Sequence, residues 1–169
     1  MAHSGNPPLV LIVEDNDPDV FLVQEALRAQ GVLARIERCQ DGDEALRAVS
    51  EIGEPHLPDL IIIDLNLPKV PGLEILKRVR SLKQLDSVPV LILTSSQSKA
   101  DRAQCLQFGA DAYIAKPPTL PEFLSSVGSG IRALLEGSGS GPRALRRFRL
   151  RRFQPAGRRS IRTRLASTR

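Results

Sequence analysis

The 169-residue chain has no tryptophan, one tyrosine and one methionine, so its core must be built from aliphatic side chains. It has two cysteines, Cys39 and Cys105, without metal-ligand spacing; they read as reduced, buried small apolar residues. Long apolar runs are also missing. The longest, "LVLIV" at 9–13 and "VPVLIL" at 88–93, fall far short of the ~20 residues that span a bilayer. The opening "MAHSGNPP" holds no Lys or Arg and leads into five apolar residues before Glu14, so both parts of a secretory signal are lacking. These absences point to the cytoplasm. No GxGxxG follows the first apolar run, and His3 and His56 belong to no motif, which weighs against a nucleotide-binding enzyme.

Acid is absent from the end of the chain. All 19 Asp and Glu precede residue 137, whereas residues 143–169 hold 11 Arg and no Lys. The other 13 basic residues leave the first 142 at a formal −6, so the overall +5 averages an acidic domain with a basic tail.

Short aliphatic runs alternate with helix-period stretches, the mark of repeated βαβ units around a parallel sheet covered on both faces. Strands are expected near 8–13, 33–38, 59–63, 88–93 and 111–114, and helices over 18–31, 41–53, 72–82, 98–110 and 119–136. The first helix opens on Pro18 and Asp19, aligns Val20, Val23 and Leu27, and stops at Gly31; the third aligns Leu73, Leu76 and Val79. Gly128 and Gly130 weaken the middle of the fifth. "GSGSGP" at 137–142 reads as a flexible linker, leaving a domain over 1–136 and an Arg-rich, disordered tail over 143–169.

Carboxylates crowd the end of the first strand in "VEDNDPD". Asp15, Asp17 and Asp19 mimic the start of a calcium loop, but Val20 and Ala26 stand where that loop needs Gly and Glu. Asp17 and Asp19 read as first-turn acids favoured by the helix dipole. Glu14 and Asp15 end a buried strand, and Asp64 ends the third, at the sheet edge where open α/β folds bind ligands. Three converging carboxylates repel unless a cation sits among them, and a hard divalent ion, Mg²⁺ by preference, answers that need. Thr94 ends the fourth strand and Lys116 follows the fifth; the second alone delivers no polar group. Such a set suits phosphoryl transfer, with Asp64 as nucleophile, Lys116 pairing with a phosphoryl oxygen and Thr94 hydrogen-bonding another.

The motifs "VEDND", "IIIDLNLP", "LILTSS" and "YIAKPP", in this order, resemble the CheY-like receiver domain of two-component response regulators over about residues 8–136. The resemblance implies a doubly wound, flavodoxin-like sheet of five parallel strands in the order 2-1-3-4-5. It also implies a phosphoacceptor at Asp64, a metal site of Glu14, Asp15, Asp64 and the Asn66 backbone carbonyl, a switch pair Thr94 and Tyr113, and a phosphate-contacting Lys116 followed by a cis bond to Pro117. The implied function is a signalling module, not an enzyme beyond its own phosphorylation and dephosphorylation, with a sensor histidine kinase as donor. "DLNLPKVPG" and "LKQLDSVPV" look most like small single-domain regulators paired with phytochrome-type kinases, which suggests a bacteriophytochrome partner and a homodimer through the fourth helix, fifth strand and fifth helix.

For the tail, with Phe148 and Phe153 among its arginines, several readings stand side by side. It is a solvated tail or a shifted-frame product, a nucleic-acid or anionic-surface contact, or a segment docked on the acidic domain. The alternative function is therefore a phosphorylation-controlled nucleic-acid-binding regulator.

Overall fold

The computed structural model describes residues 6–137; of the linker expected over 137–142, Gly137 is the last residue of the final helix, and the rest, with the tail expected over 143–169, lies outside the described residues. Five strands form one parallel sheet: β1 (Leu9–Val13), β2 (Arg35–Cys39), β3 (Leu60–Ile63), β4 (Val90–Thr94) and β5 (Ala112–Ala115). Helices α1 (Asp17–Ala29), α2 (Gly42–Glu51), α3 (Gly72–Ser81), α4 (Lys99–Gln107) and α5 (Leu120–Gly137) alternate with them, and a short 3₁₀ turn, Lys83–Leu85, precedes β4. The strand order is β2-β1-β3-β4-β5, all neighbours parallel, as the resemblance implies.

Alternation along the strands divides the core in two. Val10, Ile12, Leu60, Ile62, Leu91 and Leu93 pack with α1 and α5 on one face. Leu11, Val13, Ile61, Ile63, Val90 and Ile92 pack with α2 and α3 on the other. A doubly covered strand has no solvated side, which is why β1, β3 and β4 read as unbroken apolar runs. At the sheet edge, β2 alternates exposed and half-buried residues, and Leu33, expected inside that strand, lies outside it and 81% exposed.

Local signals set most helix starts. The Asn16 side chain caps α1 by accepting from the Asp19 N–H, so the cap precedes the expected Pro18–Asp19 opening. Asp41 caps α2 by accepting from Glu44 N–H, and Glu44 Oε2 accepts in turn from Gln40 N–H at 2.7 Å, a reciprocal capping pair. In α3 the buried stripe runs through Ile75, Leu76 and Val79, with Leu73 only half-buried. The glycines of α5 do not break it. A Cβ at Gly128 would stand 2.7 Å from the Ala26 carbonyl oxygen, so this glycine lets α5 approach α1 closely. Cys39 and Cys105 are buried free thiols, as expected; burial pushes the Cys39 thiol up to about 11.

Among the described residues no helix is long and apolar enough to cross a membrane.

Candidate functional site

Strand register assembles the site. Val13 pairs with Ile63, so the residues that follow, Glu14 and Asp64, leave the sheet side by side, and the Asp64 N–H donates to the Val13 carbonyl at 3.0 Å. Thr94 pairs with Ala115, and the Lys116 N–H donates to the Thr94 carbonyl at 2.7 Å. The chain reverses its direction of winding between β1 and β3, which opens the crevice where these ends meet.

The centre of the cluster is Lys116. Its Nζ donates to Glu14 Oε2 at 2.8 Å, to Asp64 Oδ2 at 2.8 Å and to Asp19 Oδ2 at 2.7 Å, using all three of its donors. Glu14 and Asp64 are buried, whereas Asp15 is exposed. The third carboxylate on the ammonium is thus Asp19, in the first turn of α1. Asp19 is a first-turn acid, as expected, with its N–H on the cap, and its carboxylate also turns into the site. Asp17 at 83% side-chain exposure does remain a first-turn acid.

Each remaining oxygen has a local partner. Asp64 Oδ1 accepts from the Asn66 N–H at 3.0 Å, and Glu14 Oε1 accepts from the Asn16 N–H at 3.1 Å. Thr94 is fully buried; its Oγ1 accepts from Ser96 N–H at 3.3 Å and Asn66 Nδ2 at 3.4 Å, and its hydroxyl supports the Asp64 carboxylate. Tyr113 is also buried. Its hydroxyl donates to the Ser96 carbonyl at 2.9 Å, and the Arg102 guanidinium lies 5.7 Å from the ring centre. Thr94 and Tyr113 therefore meet at opposite sides of Ser96.

The charges do not balance. Burial raises the Glu14 carboxyl to about 7 even with Lys116 beside it, because that one ammonium is shared three ways. For Asp64 burial works in the same sense, but the hydrogen bonds from Lys116 and from Asn66 N–H outweigh it and hold the carboxyl below its ordinary value. Burial opposes the Lys116 charge, and its three carboxylate bonds overcome that and raise its pKa.

The fit to a divalent ion follows from the donors. They are oxygens throughout, the ligand type a hard cation takes. With Lys116 taking both Glu14 and Asp64, no group of three His, Cys, Asp or Glu side chains among the described residues is disposed around a common ion position.

Two expectations are corrected. Among the described residues the one cis peptide is Glu54–Pro55, so Lys116–Pro117 is not cis; nothing in the surrounding contacts explains the difference. The second strand does deliver a polar group: Arg38, at the penultimate position of β2, donates from Nε to the Glu14 carbonyl and from Nη2 to the Asp15 carbonyl, both at 2.9 Å. The signal was present in "RIERC", where Arg38 lies one residue before the strand end, but which way an edge-strand arginine turns is not written in sequence.

Gly72 completes the site from below. A Cβ there would stand 1.9 Å from the Asp64 carbonyl oxygen, so the chain that carries Asp64 lies directly on the start of α3.

Comparison with known proteins agrees with this fold. The response regulator receiver domain model matches residues 10–127. The polar-differentiation response regulator DivK of Brucella anthropi is 36% identical over 73% of this chain and 95% of its own length. The phosphorylated cyanobacterial phytochrome response regulator RcpA is 32% identical, with a TM-score of 0.70 over 80% of this chain and 98% of its own. The Mn²⁺-bound response regulator Rcp1 is also 32% identical, with a TM-score of 0.67 over 75% of this chain and 93% of its own. The match spans most of the five-stranded 2-1-3-4-5 sheet, and the chain belongs to the response regulator receiver domain family.

Proposed function

We propose that the chain accepts a phosphoryl group on Asp64 from a sensor histidine kinase and uses it to switch a protein-binding surface. The observation that carries this reading is the Lys116 ammonium 2.8 Å from Asp64 Oδ2, in a buried crevice at the sheet edge. Asp64 stays ionised there, as a nucleophile must. Its oxygen forms the new O–P bond as the P–N bond to the donor histidine breaks and the imidazole nitrogen keeps the electron pair. Glu14, Asp15, Asp64 and the Asn66 carbonyl would hold Mg²⁺, which supplies charge neutralisation at the phosphoryl oxygens when bound. Lys116 exchanges a carboxylate for a phosphoryl oxygen, and the Thr94 hydroxyl turns toward another. This self-directed chemistry makes the protein a signalling module rather than an enzyme with turnover of an outside substrate, and its place is the cytoplasm.

The switch runs from Thr94 through Ser96 to Tyr113, whose hydroxyl already bonds the Ser96 carbonyl. Phosphorylation shifts an existing equilibrium by its different contacts in two states. The output face is α4, β5 and α5, whose helices carry the exposed large apolar residues Leu106 and Leu120, and a homodimer would form through it. The likeness to the phytochrome response regulator RcpA supports a phytochrome-type kinase as donor.

Incubation with acetyl phosphate and Mg²⁺ tests the reading. Native protein gains one phosphoryl group, and gains none when the metal is chelated before the donor is added; Asp64→Asn gains none. Equal labelling of that variant would sink the assignment.

A second reading rests on the 11 arginines of residues 143–169. In it the tail binds nucleic acid under receiver control. Salt-sensitive binding alone would follow from any such tail; binding that changes with Asp64 phosphorylation would favour this reading.

A further inference from the structure

The loop between β1 and α1 carries Glu14 and Asp15 and is fastened from the sheet edge by β2. Glu14 N–H donates to the Cys39 carbonyl at 3.0 Å. On the next two peptides, Arg38 grips the Glu14 carbonyl with Nε and the Asp15 carbonyl with Nη2, both at 2.9 Å. A planar guanidinium reaches two consecutive carbonyls at once; an ammonium is a single point of charge without that fork. Its remaining nitrogen, Nη1, meets Asp17 Oδ1. That carboxylate offsets the arginine charge, so the fork lies beside an acidic crevice without a net cation facing it.

We propose that Arg38 is a positioning residue for divalent-cation binding. It sets the path of the loop and so the placement of the exposed Asp15 carboxylate relative to buried Glu14 and Asp64, without touching the ion itself. The inference rests on the reading of Glu14, Asp15 and Asp64 as metal ligands. Fixing a ligand's support in this way commonly governs metal affinity as strongly as a tenth or less of the native value when it is lost.

The test is Mn²⁺ titration of the full chain, followed by the electron paramagnetic resonance signal of free Mn²⁺, on native protein, Arg38→Met, Arg38→Lys and Asp17→Asn. Hydrogen exchange of the Glu14 and Asn16 amides, which donate to the Cys39 carbonyl and to Glu14 Oε1, is read in parallel without metal. Loss of the fork is expected to weaken Mn²⁺ binding about tenfold in both Arg38 variants and to speed exchange at both amides. Asp17→Asn keeps both carbonyl bonds and is expected to stay within about threefold of native, the difference vanishing at high salt. Native-like affinity in Arg38→Lys, or tighter binding in Arg38→Met, would show a charge effect and overturn the proposal. If Arg38→Met does not fold, Arg38→Lys decides. A native chain that takes up no Mn²⁺ would remove the metal reading instead, and unchanged amide exchange in Arg38→Lys would then overturn the loop-holding role on its own.

Discussion

The Lys116 ammonium stands 2.8 Å from Asp64 Oδ2, although the two residues are 52 positions apart in the chain. Parallel pairing of β3 with β4, and of β4 with β5, carries both to the same edge. The same nitrogen also holds Glu14 and Asp19, so one side chain neutralises part of a crevice that would otherwise repel itself. Lys116→Met is expected to destabilise the metal-free protein at pH 8 by about 3–5 kcal/mol, the cost of leaving buried charge unpaired. Divalent metal should recover much of it. Thermal melts with and without Mg²⁺ check this, and an unchanged melt would contradict the central role of the lysine.

Glu14 gives the metal-free protein a pH dependence with a defined sign. Its folded pKa of about 7 lies above the ordinary 4.5, because burial disfavours the charge. The folded state therefore holds the proton more tightly, and this stabilisation is complete below about 4.5 and lost as pH rises through about 7. Glu14→Gln is expected to raise stability at pH 8 on the order of 1–3 kcal/mol and to add nothing at pH 4. Urea unfolding at the two pH values measures the difference; a loss at pH 8 would mean that the Lys116 pair outweighs burial.

Tyr113→Phe removes the hydroxyl that serves the Ser96 carbonyl and leaves the ring in the core. A loss of about 1 kcal/mol is expected, the usual net worth of such a bond. On the proposed reading, phosphate on Asp64 of this variant should no longer alter the α4–β5–α5 face, read as amide shifts in that region.

Arg80 ties together three corners on the far side of the sheet from α1 and α5. It donates to the carbonyls of Gly109, Leu85 and Val88 at 2.9–3.1 Å and to Asp111 Oδ2 at 2.8 Å, with both charged side chains nearly buried. Arg80→Met takes the guanidinium away from buried Asp111, which also accepts from the Val90 N–H, for an expected cost of about 3–5 kcal/mol in urea unfolding. A loss below 1 kcal/mol would show that water reaches the carboxylate.

Gly72→Ala places a methyl group against the Asp64 carbonyl, so the chain on one side must move. A loss of about 1–3 kcal/mol is expected, together with slower phosphorylation of Asp64 by acetyl phosphate. Native stability with native labelling would show that the start of α3 can slide without cost.

Much of this was legible in the residues. "LIII" and "VLILT" named doubly covered strands because no polar face interrupts them, and Glu14, Asp64, Thr94 and Lys116 each stand at a strand end. Harder to read were the residues whose roles depend on direction rather than position. Asp19 has the look of any first-turn acid, and the edge strand "RIERC" that of a solvated strand.

What the sequence by itself determined is the order of elements and the list of groups delivered to one edge, because apolar periodicity and strand ends are local properties of the chain. Tertiary structure alone decided that Lys116 gathers Glu14, Asp19 and Asp64, and that Arg38 holds the loop from outside. Those contacts join residues from 23 to 102 positions apart, and their choice of partner depends on register and side-chain direction in three dimensions.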